Sequence, residues 1–203
     1  MKSKEEKSVL ISIHPKWVEK IASGEKTIEV RKSRPKLETS FKCYIYETQG
    51  EYKTGTGIFA YGIELKGAKK GKGKVIGEFV CDRIYKFAGR WFGDYTRPFG
   101  TEAMILRESC LTLDELTNYL SLKNGYAWHI SDLKIYDKPK ELREFYIFDS
   151  DKRRPSVDCE YKKRGFSHDW CLQTDNRFCN ELLCDKKRIK RPPQSWCYVE
   201  ELK

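Results

Sequence analysis

Three charged side chains are spaced along one short segment in a way that could do chemistry. Lys26 precedes residues 27–31 (TIEVR), in which polar and apolar residues alternate. Alternate residues of a β-strand point to the same face, so we expect Glu29 and Arg31 to share a face, with Lys26 at the turn leading into it. A carboxylate between two cations can orient a nucleobase while the cations hold phosphate, or it can act as a general base. The alternative is an exposed row of ion pairs, which stabilises a strand little.

A second group of candidate residues lies near the C-terminus, in residues 192–198 (PPQSWCY). Gln194 and Ser195 offer hydrogen-bond donors and acceptors to the edge of a base, and Trp196 offers a ring on which a base can stack. Trp196 is equally compatible with an ordinary core position in a closing strand, and Tyr198 fits that role better. We predict that Gln194, Ser195 and Trp196 form a second wall of a ligand-binding cleft.

His14 and His129 are acid–base candidates because imidazole titrates near neutral pH. Each lies in a strand-like segment with apolar neighbours. A histidine in that setting is more often a hydrogen-bonded packing residue than a catalytic one. We therefore expect packing roles for both.

Four cysteines fall within 26 residues: Cys159, Cys171, Cys179 and Cys184. Four thiolates can hold a tetrahedral zinc ion and give fixed structure to a segment that is too polar to build its own core. The spacings of eleven, seven and four intervening residues lack the paired C-x₂-C arrangement, so reduced cysteines packed beneath a loop are the alternative. A zinc ion held there would be structural, because four protein ligands leave no open position for catalysis.

The positive charge of the chain is concentrated in two segments. The net charge is +10, of which residues 66–74 carry +5 and residues 152–191 carry +6, so the remainder of the chain carries −1. Such a distribution suits a polyanionic partner, whose affinity arises largely from counterion release. The alternative is that both segments are solvated loops. We predict RNA or a nucleotide or nucleoside as the partner, while no residue pattern identifies a protein partner.

Composition favours a folded protein without a membrane span. Hydrophobic residues make up 39% of the 203 residues and aromatic residues 13%, which is too many for a disordered chain. No apolar run approaches the roughly 18 residues of a membrane helix. Residues 1–7 are charged and lack the apolar core of a secretion signal. We therefore expect a cytoplasmic protein with reduced cysteines and no membrane contact.

The pattern of elements predicts a mostly β (α+β) fold. Strands are indicated for residues 8–14, 41–47, 74–82, 127–136 and 196–199. Pro15 suits the first turn of a helix, and residues 112–120 form an amphipathic helix in which Thr112 and Glu115 make a capping box. Several strands with short flanking helices and long loops indicate a small twisted sheet closing into a barrel.

Several segments together resemble the ASCH domain family, in its bacterial and phage branch. Residues 11–15 (ISIHP) with 24–32 (GEKTIEVRK) are similar to the opening of these domains, and residues 77–79 (GEF), 126–130 (YAWHI) and 192–198 (PPQSWCY) match later motifs. The resemblance implies a PUA-like β-barrel whose cleft is lined by the strand after the first helix. It also implies ligand-binding roles for Lys26, Glu29, Arg31 and Lys32.

Members of this family are linked to RNA binding, to hydrolysis of N4-acetylcytidine and to ribonuclease activity. Lys26 matches the functional lysine of the amidohydrolase branch, but Glu29 stands where that branch has its nucleophilic threonine. Thr27 follows the lysine by one residue, so on a strand it faces the other way and does not simply replace the nucleophile. Glu108 lies one residue from the position of the branch's second carboxylate, which is Ser109 here.

These observations divide the chain into an ASCH/PUA-like barrel over residues 1–149, a basic cysteine-containing insertion over 150–191, and a closing strand over 192–203. The first functional hypothesis is binding of nucleic acid, either RNA or a modified base. The alternative is a hydrolase of N4-acylcytidine type, or a ribonuclease, in which Lys26 and Glu29 form the catalytic pair.

Overall fold

The computed structural model describes most of the predicted barrel region and the last strand. The described residues are 7–53, 58–60, 63–65, 68–88, 100–121, 123–148, 164–165 and 188–202. No helix within these ranges is long and apolar enough to cross a membrane.

Twelve strands and three α-helices are assigned within the described ranges. In chain order they are β1 (Lys7–Ile13), α1 (Pro15–Ala22), β2 (Ile28–Arg31), β3 (Phe41–Glu47), β4 (Glu51–Lys53), β5 (Ile58–Ala60), β6 (Ile63–Leu65), β7 (Ala68–Lys70), β8 (Val75–Cys81), β9 (Ile84–Phe87), α2 (Thr101–Ser109), α3 (Leu113–Leu120), β10 (Gly125–His129), β11 (Ser131–Lys140) and β12 (Trp196–Glu200).

The strands form two main sheets. The larger sheet has the order β11-β8-β3-β1-β12 and is antiparallel except for the parallel pair of β1 and β3. The smaller sheet has the antiparallel order β2-β10-β9. Short pairs of β4 with β7 and of β5 with β6 complete the described strands. The prediction of a mostly β fold with short flanking helices is confirmed.

The predicted closure into one barrel is wrong for the described strands. The chain passes from the small sheet to the large sheet through Ile130, whose backbone N–H donates to the carbonyl of Thr27 at 2.8 Å. Strand β11 then begins at Ser131 and pairs with Val80 of the large sheet. The two sheets therefore meet at a corner, and in the described ranges their hydrogen-bonded ladders remain separate.

Apolar side chains divide the fold into layers. Between the two sheets lies a cluster that includes Ile11, Phe79 and Trp128. On the outer face of the small sheet, Ile28 and Val30 pack with residues of α2 and α3. Since successive residues of a strand point to opposite faces, Glu29 and Arg31 must point into the layer between the sheets. This confirms the alternation predicted for residues 27–31.

Helices α1 and α3 begin where the sequence predicted. Pro15 is the first residue of α1 and is preceded by the N-cap His14, and the predicted capping box of Thr112 and Glu115 is present in α3. Helix α2 was not predicted, because its sequence has no clear apolar stripe and only Ile105 and Ser109 are buried. A salt bridge of 2.9 Å between Lys16 Nζ and Glu115 Oε1 joins α1 to α3.

The N-cap of α1 makes the stability of the fold sensitive to pH. The His14 Nδ1 accepts a hydrogen bond of 3.3 Å from the Lys16 backbone N–H, which requires that this nitrogen is unprotonated. Partial burial of the otherwise exposed imidazole, together with the charge of Lys16, lowers the pKa of His14 below the ordinary value of 6.5. The unfolded chain therefore takes up this proton first, and the stabilising contribution is lost as the pH falls below about 6.5.

We predict that acidification from about pH 7.5 to about pH 5.5 reduces the free energy of unfolding by up to about 1 kcal/mol through His14, the usual worth of one helix N-cap. Urea unfolding at the two pH values measures this loss. The variant His14→Asn keeps a capping acceptor that does not titrate, so its stability should depend less on pH. Equal pH dependence in the wild type and in His14→Asn would contradict the assignment.

Candidate nucleic-acid and ligand-binding site

Lys26, Glu29 and Arg31 form a buried cluster of charges between the sheets. Lys26 Nζ lies 3.3 Å from Glu29 Oε2, and Arg31 Nη2 lies 3.0 Å from Glu29 Oε1. The exposed fractions of the three side chains are 2%, 8% and 9%, respectively. The alternative of an exposed row of ion pairs is therefore wrong. Charges this deeply buried are tolerated only when they are paired and hydrogen-bonded.

Lys26 is held by the end of helix α2. Its Nζ donates a hydrogen bond of 2.8 Å to the backbone carbonyl of Ser109, the last residue of that helix. The last carbonyls of a helix have no partner within the helix and carry partial negative charge. The ammonium group satisfies one of these carbonyls, and it also lies 5.3 Å from the centre of the Trp17 ring. Lys26 thus links β2, α1 and α2 at one point.

Arg31 connects the cluster to the C-terminal segment. Its Nη2 donates to the carbonyl of Ser12 at 2.6 Å, and its Nη1 donates to Ser195 Oγ at 3.4 Å. The same segment is fixed to the end of β1, since the Ser12 backbone N–H donates to the Ser195 carbonyl at 2.9 Å and Ser12 Oγ donates to the Pro193 carbonyl at 2.6 Å. The structure therefore brings together Arg31 and Ser195, which are 164 positions apart in sequence.

Gln194 and Trp196, which were also predicted to bind the ligand, lie at the edge of the cluster and differ in how exposed they are. Gln194 is exposed, between the two anchored residues Pro193 and Ser195. Trp196 is half-buried; its ring centre lies 6.1 Å from that of Trp128, and its Nε1 donates to Ser33 Oγ at 3.1 Å. Trp196 is thus partly a core residue and partly accessible.

Lys32 and Tyr119 form a more exposed border of the cluster. The Lys32 side chain is exposed, and its Nζ lies 5.1 Å from the centre of the Tyr119 ring. Burial raises the pKa of the Tyr119 hydroxyl, which also interacts with Arg31 and with the Lys32 backbone. The hydroxyl therefore stays protonated at neutral pH. Tyr119 was not among the predicted site residues, because a tyrosine within an amphipathic helix carries no local signal of a binding role.

Thr27 and Glu108 form a pair that the sequence did not reveal. The Thr27 backbone N–H donates to the Glu108 carbonyl at 2.9 Å, and Thr27 Oγ1 lies 3.5 Å from Glu108 Oε2. Glu108 keeps 28% of its side chain exposed and also pairs with Arg107. A hydroxyl and a carboxylate therefore lie side by side next to Lys26. This contact spans 81 positions and has no counterpart in local sequence patterns.

Neither histidine belongs to the charged cluster. His14 caps α1 and is exposed. His129 Nδ1 lies 2.6 Å from Asp82 Oδ1. Burial acts to raise the pKa of Asp82, but the hydrogen bond and charge of His129 lower it overall. The two histidines therefore have structural partners, in agreement with the roles expected for them.

The predicted zinc ligands Cys159, Cys171, Cys179 and Cys184 lie outside the described residues, so zinc binding stays a prediction. Among the residues that are described, no group of three or more His, Cys, Asp or Glu side chains could hold a metal ion. Cys43 and Cys81 are buried free thiols. Burial raises the pKa of Cys43 well above its ordinary value and that of Cys81 to about 12, so both remain protonated.

The structure describes part of the first basic segment, residues 66–74. Lys69 and Lys70 lie on β7 and are exposed, as is Lys72. Lys69 Nζ pairs with Glu19 Oε1 at 2.8 Å, and Lys74 Nζ pairs with Glu141 Oε1 at 2.8 Å. The described lysines of this segment therefore form a positive surface, part of which is neutralised within the protein.

The two facing sheets, the short flanking helices and the charged site between the sheets define a PUA-like β fold. The chain belongs to the ASCH domain family, whose model matches residues 11–139. This family is PUA-like and is associated with RNA binding or hydrolase activity.

Solved structures support the same fold. The chain is similar to ASCH from Zymomonas mobilis, with a TM-score of 0.51 and 17% identity over 96% of this chain and 88% of that chain. A mutant of that protein gives a TM-score of 0.50 and 16% identity over 96% of this chain and 89% of that chain. At these identities the likeness shows the fold alone. No curated protein matches the chain.

We predict that Glu29→Gln lowers the free energy of unfolding by about 3–5 kcal/mol, because the change leaves two buried cations without their shared counter-ion. Urea unfolding followed by circular dichroism measures the effect. The control is Glu25→Gln, which removes the exposed ion pair of Glu25 with Lys20 at 2.9 Å and should change stability little. A similar loss for both variants would mean that the buried cluster is no more important than a surface pair.

Proposed function

We propose that this protein binds nucleic acid, with RNA or a modified base as the ligand. The binding site is formed by Lys26, Glu29, Arg31 and the residues around them. The family association with RNA favours RNA over DNA. Within the site itself, the supporting observation is that two cations share one carboxylate in a layer that is largely closed to water.

The surplus positive charge is what makes the cluster suited to a ligand. Lys26 and Arg31 together carry +2 against −1 on Glu29, and their side chains are at most 9% exposed. Two unit charges 4 Å apart interact by about 4 kcal/mol at an effective dielectric constant of 20, against about 1 kcal/mol in water. A polar or anionic group of a ligand that reaches this layer therefore interacts more strongly with the cluster than with a surface lysine.

The residues around the cluster supply the other contacts that an unpaired base requires. Trp196 offers a partly accessible ring for stacking, and Gln194 offers an amide with both donors and an acceptor. The exposed ammonium of Lys32 supplies a charge for the sugar–phosphate backbone. The lysines at positions 69, 70 and 72 would add affinity that does not depend on base identity.

Binding accounts for Glu29 better than general-base catalysis does. Both of its carboxylate oxygens are already paired, one with each cation. A substrate proton could reach either oxygen only by displacing an ion-pair partner. A carboxylate held in this way is well placed to orient two cations toward a ligand.

We predict that Lys26→Met reduces the affinity for a fluorescein-labelled 20-nucleotide mixed-sequence single-stranded RNA at least ten-fold. The substitution keeps the apolar stem and removes the buried charge, and a hydrogen bond to a charged group contributes about 1.5–3 kcal/mol. Fluorescence anisotropy at fixed salt concentration measures the change, and a DNA strand of the same sequence tests the preference for RNA.

The control for the loss of one positive charge is Lys134→Ala. Lys134 is exposed on the edge strand β11 of the large sheet, so its removal should change affinity only slightly. Wild-type affinity in a folded Lys26→Met protein would exclude the cluster as the binding site. Equal losses in both variants would indicate binding through overall charge alone.

Hydrolysis of a modified nucleoside is the second candidate function. It is favoured by the contact between the Thr27 hydroxyl and the Glu108 carboxylate beside Lys26. In this scheme Glu108 takes the hydroxyl proton while Thr27 Oγ attacks the acyl carbon, and the proton then passes to the leaving amine. Water releases the acyl group from the resulting ester. In an alternative scheme, Lys26 and Glu29 form the catalytic pair.

Turnover of N4-acetylcytidine to cytidine, followed by chromatography, tests this candidate. If Thr27 and Glu108 act, Thr27→Val and Glu108→Gln should each reduce the rate by about 10²-fold or more, whereas Glu29→Gln should act mainly through stability. If Lys26 and Glu29 act, Glu29→Gln should abolish turnover in folded protein and Thr27→Val should retain it. The absence of turnover in the wild type would remove the hydrolase candidate for this substrate.

A further inference from the structure

Two buried N–H donors on residues of the small sheet lack a hydrogen-bond partner. Among the described residues, four buried side-chain polar atoms have none, and two of these are Arg31 Nε and Trp128 Nε1. The other two are hydroxyl oxygens, of Ser8 and Thr117. A buried donor without an acceptor costs about 1–3 kcal/mol. Two such donors, one of them on a residue of the ion cluster, therefore require an explanation.

Both donors belong to the face of the small sheet that carries Glu29. In the pairing of β2 with β10, Trp128 is directly opposite Glu29 and Tyr126 is directly opposite Arg31. Side chains of directly opposite residues emerge on the same face of a sheet, and Glu29 and Arg31 share a face because they are two residues apart. Trp128 and Arg31 are both buried. The donors and the charges thus lie in one layer.

The remaining groups on this face give the site its charge preference. Glu29 is saturated by its two cations, so the cluster carries one unit of positive charge in excess. An oxygen acceptor with a single negative charge would neutralise that excess charge. It would also accept hydrogen bonds from the two donors that lack a partner, Arg31 Nε and Trp128 Nε1. A neutral carbonyl would leave the charge uncompensated, and a dianion would replace it with a net negative charge.

We propose that the buried layer beside Arg31 and Trp128 binds one phosphodiester oxygen of the nucleic-acid backbone, with Arg31 Nε and Trp128 Nε1 as donors. This inference rests on the proposed nucleic-acid function and specifies the part of the ligand that enters the layer. It makes a polynucleotide or dinucleotide a better ligand than a nucleoside. It also makes Trp128 a binding residue, although its burial alone would assign it to the core.

The indole N–H resonances provide a direct test. The protein has five tryptophans, and spectra of Trp128→Phe identify the signal of Trp128. The probes are an equimolar pool of the sixteen dinucleoside monophosphates and the same pool with uncharged methylphosphonate linkages. We expect the charged pool to shift the Trp128 indole and Arg31 Nε–H signals downfield and to slow their exchange with water. The uncharged pool should leave both signals in place.

Variants test the same contact through affinity. Trp128→Phe removes the donor and keeps an aromatic ring, and it should weaken binding of the labelled RNA by about ten-fold or more, the worth of one hydrogen bond to a charged group. The packing control is Phe41→Leu, because the Phe41 ring packs edge-on against Trp128 at 6.0 Å and donates no hydrogen bond. That variant should bind the RNA nearly as well as the wild type.

The outcomes separate this inference from the proposed function. If the RNA binds while the Trp128 indole signal stays unchanged, or if Phe41→Leu weakens binding as much as Trp128→Phe, the phosphodiester site is wrong and nucleic-acid binding stands. Equal effects of the charged and uncharged pools also overturn the inference. If neither the RNA nor the charged pool binds to the wild-type protein, the proposed function fails together with the inference.

Discussion

The burial of the Glu29 carboxylate between Lys26 and Arg31 is the constraint on which the rest of the site depends. An isolated carboxylate in this layer would be strongly destabilising, so both cations must be held in place. Lys26 is fixed by the Ser109 carbonyl at the end of α2, and Arg31 by the Ser12 carbonyl at the end of β1. The ion cluster therefore sets the relative positions of a helix end, a strand end and the small sheet.

The layered architecture makes such a cluster possible. One face of β2 presents Ile28 and Val30 to the helices, where they join an apolar core. The other face presents its charges toward the apolar cluster between the two sheets, which includes Trp128. The low dielectric of this layer strengthens each charged interaction and raises the cost of each unpaired group. The same arrangement brings the C-terminal residues Ser195 and Trp196 to the edge of the site.

Local signals in the sequence predicted the parts of the fold that depend on nearby residues. The alternation in residues 27–31, Pro15 at the start of α1 and the capping box of Thr112 with Glu115 all act over a few positions, and each is present. Helix α2, the Thr27–Glu108 contact and the corner between the sheets depend on partners distant in sequence. Ser195 is an intermediate case, because the family motif indicated its role although no local pattern could place it beside Arg31.

The stability of the fold does not explain why the layer between the two sheets contains charged groups and donors without partners. A buried ion network can often be replaced by apolar side chains without loss of stability, and two donors without partners add a further cost of about 1–3 kcal/mol each. An apolar layer between the sheets would thus serve folding at least as well as the charged one. The excess positive charge and the unpartnered Arg31 Nε and Trp128 Nε1 are instead what a site for an anionic oxygen requires, because preorganised donors need little rearrangement when the ligand enters. The stability sacrificed in the free protein is then recovered in the complex, so the ligand should stabilise the fold through the same atoms that destabilise it when they lack a partner.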